Sequence, residues 1–525
     1  MTTGFGTPES GPVDLRLVPA ALTSWAVTAV GILWTVGAAI AGMCVIVAVA
    51  AALVRRRATA DRDRVRAVSG GVIAVTMVGV GFGLAIMLRA NGVRDHPITQ
   101  LFGTAAEVTV TPTESPRSVG TGRLLLKANL DLVDQHETSG RVTVFASTAG
   151  FANVTAGQPV RFKARISRPT RRDLSVAVLT ATGEPAMGQA SVVQRFAATV
   201  RSRFAAAARE VLPAAQAAML PALVLGDTSA MTDSVTAEYR AAGLTHLTAV
   251  SGANVTIVCG AVLTSAYVVG PRAAVGLAGV ALTAFVIVVQ PTASVLRAAA
   301  MGAVALLAIL SSRRRQAIPA LSATVLVLMI VAPQLAVDIG FALSVSATAA
   351  LVLIAPAWSR RLVVRGWPKP LADAVCVAAA AQLVTAPLVA GISGTVSLVA
   401  VAANLAVAAV IAPITVLGTA AAALGPVWPG PAYLLIRFTG PELWWLGTVA
   451  QRAAALPNAT VPVPSGAAGV LTVALTGVAA VVLWRRRWFR RALACAAVCL
   501  LAWSISALVA GHGATVSAVR GTIVA

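Results

Sequence analysis

The residues able to do chemistry concentrate between Leu225 and Val255, where the chain reads LGDTSAMTDSVTAEYRAAGLTHLTAVSGANV. Asp227, Asp233, Glu238, Arg240 and His246 interrupt an otherwise apolar region. Ionisable groups at membrane depth are costly and so mark functional positions. Gly243, Ser251-Gly252 and Asn254 loosen a helix and free backbone carbonyls, which is tolerated at that depth only where the backbone is buried in protein or lines a wet cavity. His246 with Ser251 offers a base and a nucleophile, the makings of an intramembrane hydrolase or envelope-lipid enzyme. No GxSxG elbow presents the serine, however. His246 has a second reading, as a bond to a neighbouring helix carbonyl.

Further along, Arg297 sits inside an apolar helical run. It is expected either to pair with an acid such as Asp227, Asp233 or Asp338, or to face a phosphate in a pore. Gln382 and Asn404 read as hydrogen-bonding glue between helices.

The elements that position these residues must be membrane helices. Of 525 residues 58% are hydrophobic and 11% charged, with a mean hydropathy of +0.83. A soluble domain carries about 25% charged residues, and a surface this apolar needs lipid to cover it. The net charge of +22 sits largely in arginine clusters beside apolar runs: Arg55–Arg57, Arg313–Arg315, Arg360/Arg361 and Arg485–Arg487 with Arg490/Arg491. The positive-inside rule accounts for such clusters without a polyanionic partner. The cysteines Cys44, Cys259, Cys376, Cys495 and Cys499 form no CxxC and read as small buried hydrophobes. The N-terminus carries no short basic-then-apolar leader, so the first span is expected to be the anchor.

The sequence predicts a polytopic α-helical membrane protein of about 11–12 transmembrane helices with an inserted extracytoplasmic OB-like β-barrel. Residues 1–20 form a polar N-terminal segment and 21–90 the first transmembrane helices. The barrel occupies 91–190, an amphipathic interfacial helix 191–212, the main transmembrane domain 213–511 and a tail 512–525. The run Trp25–Val54 is one tilted helix or a pair broken near Gly37–Gly42. Short alternating strands are expected at Glu107–Thr111, Arg123–Leu130, Arg141–Ser147, Val160–Ile166 and Leu174–Thr180. Spans are expected at Leu244–Val269, Arg272–Val289, Ser294–Leu310, Ile318–Ala332, Val337–Ala357, Leu371–Ala390, Val396–Leu424, Ala432–Ala453, Gly466–Trp484 and Ala492–Ala510. In the amphipathic helix Val192, Phe196, Val200, Phe204 and Val211 share a face, suited to the membrane interface or to packing on the barrel.

The order of these residues resembles a known family. Gly226-Asp227, then Tyr239-Arg240-Ala-Ala-Gly243-Leu-Thr-His246-Leu-Thr-Ala-Val-Ser251-Gly252, is similar to the signature of the ComEC competence channel. Downstream, Ser294-Val-Leu-Arg297, Asp338-Ile-Gly340-Phe341-Ala-Leu-Ser344, Ala381-Gln382-Leu and Ala403-Asn404-Leu resemble further positions of that family, over about 190 residues.

The resemblance implies a channel that passes single-stranded DNA across the cytoplasmic membrane during natural transformation, working without a cofactor. It makes Asp227, Tyr239, Arg240, Gly243, His246, Ser251, Gly252, Asn254, Arg297, Asp338, Gln382 and Asn404 the channel motif. Implied partners are single-stranded DNA, membrane lipid, a DNA receptor and a cytoplasmic helicase. Two departures stand out. Asn254 replaces the histidine usual in the family and cannot titrate near neutrality. His96, His136, His246 and His512 form no HxHxDH cluster of the kind found in the nuclease domain that ends many members, so a separate nuclease is expected.

Overall fold

The computed structural model describes residues 14–34, 36–57, 62–120, 122–248, 250, 252–310 and 317–483, with 486, 491, 495, 499 and 502. Ser251, Arg313–Arg315, Arg485, Arg487, Arg490 and most of the expected last span lie outside the described residues. The chain divides into two compact units. The first comprises the described residues of Met1–Met231, His246–Val352 and Val410–Trp444; the second comprises those of Thr232–Thr245, Leu353–Ala409 and Trp445–Ala525.

In the first unit, α1 (Val18–Trp34), α2 (Gly37–Arg57) and α3 (Arg62–Arg94) pack side by side. The run Trp25–Val54 is thus a pair of helices, with the break just ahead of Gly37. A Cβ on Gly37 would lie 2.8 Å from Gly83 O, so α2 and α3 cross at a point where only small residues fit.

A small closed barrel follows, built from β1 (Ala105–Pro112), β3 (Arg123–Val133), β4 (His136–Ser147), β5 (Val160–Ser167) and β6 (Ser175–Met187), with the two-residue β2 (Arg117–Ser118) added beside β3. All five expected strands are present. β1 pairs antiparallel with both β3 and β5, and β4 pairs parallel with β6, which closes the cylinder in the order β1-β3-β4-β6-β5. Strict alternation makes this possible: Val160, Phe162, Ala164 and Ile166 point inward on β5, while Arg161, Lys163 and Arg165 point outward. Phe151 on the short α4 (Thr148–Phe151) plugs one end and meets Phe162 edge-on at 5.2 Å.

Helix α5 (Val192–Val211) buries Ala197, Val200, Phe204 and Ala208 against neighbouring helices, whereas Val192 and Phe196 are exposed. The expected apolar stripe therefore splits into a packed half and an open half. The first unit continues with α6 (Ala214–Leu225). The sequence then passes through α7 (Asp233–Ala241) in the second unit and returns to α8 (Gly252–Ser265), α9 (Pro271–Val289), α10 (Ala293–Leu310), α11 (Ala317–Val331) and α12 (Ile339–Leu353). Within the expected span Leu244–Val269 the α-helix is only the 14-residue α8, because a turn about His246 precedes it and a 3₁₀ helix, Ala266–Val269, follows it.

The second unit holds α13 (Ala355–Val363), α14 (Lys369–Ser393) and the start of α15 (Ala400–Leu424). A ribbon of β7 (Thr395–Ser397) and β8 (Thr460–Pro462) lies here, and α14 packs on α18 (Gly466–Leu483). The expected span Ala432–Ala453 is instead α16 (Pro429–Phe438) followed by α17 (Gly440–Ala455). Pro441 cannot donate an amide to the preceding turn and its ring clashes there, so the helix restarts at Gly440.

Among the described residues seven helices are long and apolar enough to cross a membrane: Gly37–Arg56, Val65–Leu101, Pro271–Val289, Ile339–Val363, Lys369–Ser393, Ala400–Leu424 and Gly466–Leu483. Shorter apolar helices accompany them, including Val18–Trp34 and Ala293–Ile309. The architecture is that of a multi-pass membrane protein with a barrel domain.

Candidate functional site: a motif shared by two units

The motif is divided between the two units. In the first, α6 ends at Gly226 in the left-handed conformation (φ +73°), and Asp227 follows, its Oδ1 accepting from the Ser229 amide at 3.1 Å. This local turn uses the Asp227 carboxylate. His246 is exposed on a turn of 3₁₀ helix, Thr245–Leu247.

Asn254 is 4% exposed, and its Nδ2 donates to Leu223 O at 2.9 Å. It thereby ties α8 to the last turn of α6. A void of about 10 Å³ lined by Leu223, Leu247, Asn254, Ile411, Ile414 and Thr415 adjoins it. That is about the size of one water.

Arg297 lies one turn into α10 and is 6% exposed. Its Nε donates to Ser344 Oγ at 2.5 Å and Nη1 contacts Met301 Sδ at 3.2 Å. A Cβ on Gly252 would lie 2.8 Å from Arg297 Nη2, so the guanidinium rests directly on the first residue of α8. Gly252 and Arg297, some 45 residues apart, form one contact. Among the described residues Arg297 pairs with no carboxylate: the ion pairs are Arg117–Glu114, Lys127–Glu114, Arg161–Glu107 and Lys369–Asp373.

The expected ion pair with Asp227, Asp233 or Asp338 is therefore not formed there. Asp338 has a different task, since its Oδ1 accepts from the Phe341 amide at 2.8 Å and caps α12. Its charge also acts on Arg141 of the barrel. Burial pushes the Arg141 guanidinium down from its usual range, opposed by Asp173 first and then by Glu114 and Asp338. Arg141 Nη1 is buried without a hydrogen-bond partner among the described residues.

In the second unit the motif is a hydrogen-bonded knot. Tyr239 is 1% exposed within α7, and burial pushes its phenol up, with Glu238 adding to the effect. Arg240 is exposed. Gly243 has φ +71°, and a Cβ there would sit 2.4 Å from Ala400 Cβ. Only glycine fits, both for the backbone and for the space. Asn404 Nδ2 donates to Ala400 O at 2.8 Å and to Gly243 O at 3.4 Å. Ser397 Oγ donates to Ala241 O at 2.7 Å, and Gln382 Nε2 approaches Ser397 O at 3.5 Å. Gln382 and Asn404 hold the end of α7 against the α14–α15 connection, as glue does.

One residue with no part in the motif is prominent. Gln290 ends α9 with φ +76° and ψ 150° and is 8% exposed. Its amide bonds to Ser115 in the loop between β1 and β2. The only sequence signal was a lone glutamine closing an apolar run directly before Pro291. The barrel's aromatics are largely consumed by its core: Phe151 and Phe162 are buried, and Phe102 lies 5.7 Å under the Arg168 guanidinium.

A family model described as Competence protein matches residues 223–488. That stretch begins with the Leu223 carbonyl held by Asn254 and includes Arg297, Ser344, Gln382 and Asn404. No curated protein and no solved structure matches the chain. The matched stretch spans half of the sequence and every residue of the motif, and on that ground the chain belongs to the ComEC competence-protein family.

Proposed function

We propose that this protein conducts single-stranded DNA across the cytoplasmic membrane during natural transformation. The observation that carries the reading is Arg297: a guanidinium 6% exposed among apolar helices, resting on Gly252 and facing no carboxylate among the described residues. A charge kept at such depth without a counter-ion suits a path for an anion, and DNA carries one phosphate per nucleotide. Of the motif residues, Asp227, His246, Gly252, Asn254 and Asp338 share the unit of Arg297 and are proposed to serve that path, while Tyr239, Arg240, Gly243, Gln382 and Asn404 are proposed to hold the second unit's part of the motif together. Asn404, Gln382 and Asn254 act by fixing helices, and Gly252 by leaving room for the guanidinium.

The barrel is proposed to be an OB fold on the outer side of the membrane. Its strand order with a single parallel pair supports this, and the arginine-rich start of α3 suits the inner side. With few aromatics free to stack on bases, it would meet the strand through the outward row Arg161, Lys163 and Arg165 on β5. A receptor, a nuclease and a helicase are the expected partners, the nuclease producing the single strand and the helicase drawing it inward.

A deletion strain tests the reading. It is expected to bind labelled DNA at the surface, fail to internalise it and yield no transformants, with recovery on supplying the intact gene. Undiminished internalisation in the deletion strain would overturn it.

A further inference from the structure

Between α1, α3 and the end of α11 the first unit holds a cavity of about 260 Å³. Its walls are Thr28 of α1, Val78, Phe82 and Ile86 of α3, and Met329 and Ile330 of α11, so it is almost wholly apolar. Gly81 borders it with no atom within 4 Å of where its Cβ would be. At one end stands Arg89, the first charged residue after the apolar stretch of α3 that closes with Leu88. Arg89 Nη2 donates to Ile330 O at 2.8 Å, which fixes the guanidinium at that end of the slot. It pairs with no carboxylate among the described residues. This end of the slot lies toward the barrel: Arg172 of the barrel donates to Leu33 O at the end of α1, and α3 leads from Arg89 into the barrel.

A dry apolar cavity of about 150 Å³ in a soluble protein already takes up benzene. This one is larger but half open to its surroundings, so it suits an occupant that also reaches out of it, and it sits among apolar helices. The cation is placed where the chain leaves the hydrocarbon, which is where a lipid phosphate lies.

We propose that this slot is a binding site for one anionic membrane phospholipid, with an acyl chain between α1, α3 and α11 and the phosphodiester on Arg89. The site is separate from the DNA path and does not depend on it. A lipid there acts as a strut joining the N-terminal helices to α11, hence to the helices that follow it.

The test uses the full chain purified into nanodiscs of phosphatidylcholine with rising fractions of phosphatidylglycerol, read by thermal unfolding and by native mass spectrometry of retained lipid. The wild type is expected to gain thermal stability saturably with phosphatidylglycerol and to retain one such lipid. Arg89→Gln is expected to unfold at the same temperature in pure phosphatidylcholine and to need about fivefold more phosphatidylglycerol for half its gain, since one arginine near a lipid surface contributes about that factor. Arg89→Lys is expected to recover most of it. Gly81→Leu adds a side chain at the border of the slot, where its Cβ meets no atom within 4 Å, and is expected to lose the retained lipid while keeping its fold. The proposal fails if Arg89→Gln responds to phosphatidylglycerol as the wild type does, or if Gly81→Leu still retains the lipid. It fails equally if the wild type shows no preference between the two headgroups.

Discussion

Gln290 and Ser115, 175 positions apart, are joined twice: Gln290 Oε1 accepts from the Ser115 amide at 2.8 Å, and Gln290 Nε2 donates to Ser115 Oγ at 2.7 Å. The pair fastens a barrel loop to the turn that launches α10 and therefore Arg297. Gln290 holds a backbone region that favours glycine, at a cost of roughly 1–3 kcal/mol. Each of its hydrogen bonds returns about 1 kcal/mol. Gln290→Gly removes both the bonds and the strain, so membrane abundance is expected to stay near wild type. Gln290→Ala removes the bonds and keeps the strain, and a loss of about 2 kcal/mol is expected to show as lower abundance. Blots of membrane fractions decide between them, and equal abundance of the two variants would contradict the strain argument.

Arg297→Ala leaves no carboxylate orphaned among the described residues. The lost charged hydrogen bond is worth about 1.5–3 kcal/mol, against an insertion cost of roughly 2.5–3.5 kcal/mol that the arginine no longer imposes. These nearly cancel. The variant is expected to accumulate normally and to lose DNA internalisation. Poor accumulation with proportionate activity per molecule would place Arg297 in the scaffold instead.

Gly243 and Gly226 both have positive φ, yet differ in room. A Cβ on Gly243 would lie 2.4 Å from Ala400, whereas on Gly226 the nearest atom, Val250 Cγ2, is 3.3 Å away. Gly243→Ala is expected to reduce abundance severely, by more than about 2 kcal/mol of stability, and Gly226→Ala by about 1 kcal/mol. The ranking, read by pulse-chase in membranes, is the checkable point.

If the outward row on β5 meets the strand, Lys163→Gln with Arg165→Gln is expected to weaken capture of single-stranded DNA by the purified protein. Each phosphate contact contributes about 0.7 to the salt slope, so the double variant is expected to flatten it by about 1.4. Arg161 is left in place because it already pairs with Glu107 at 2.6 Å. An unchanged slope would remove this row from the DNA path.

Orientation across the membrane is open to single-cysteine labelling in a chain whose five cysteines are replaced. Glu137→Cys in the barrel is expected to react with an impermeant reagent from outside, and Arg66→Cys at the start of α3 only after permeabilisation. The reverse pattern would invert the topology.

The sequence by itself determined the membrane character, because apolar runs of this length have no other solvent. It also determined the five barrel strands, whose period-two alternation is imposed by the pleat and survives any tertiary arrangement. The motif was legible as a set, since Gly243, Gly252 and Asn254 break apolar monotony in one dimension. Tertiary structure decided what each member touches. Arg297 meets Ser344 and Gly252 rather than an acid, and Asp227 and Asp338 instead accept from nearby backbone amides, which linear spacing does not reveal. The span expected over Ala432–Ala453 became two helices, since hydropathy registers the apolar side chains there and not the amide missing at Pro441. The Gln290–Ser115 tie and the slot below Arg89 were equally invisible, because each joins segments more than 170 residues apart or exists only as the space that packed helices leave unfilled.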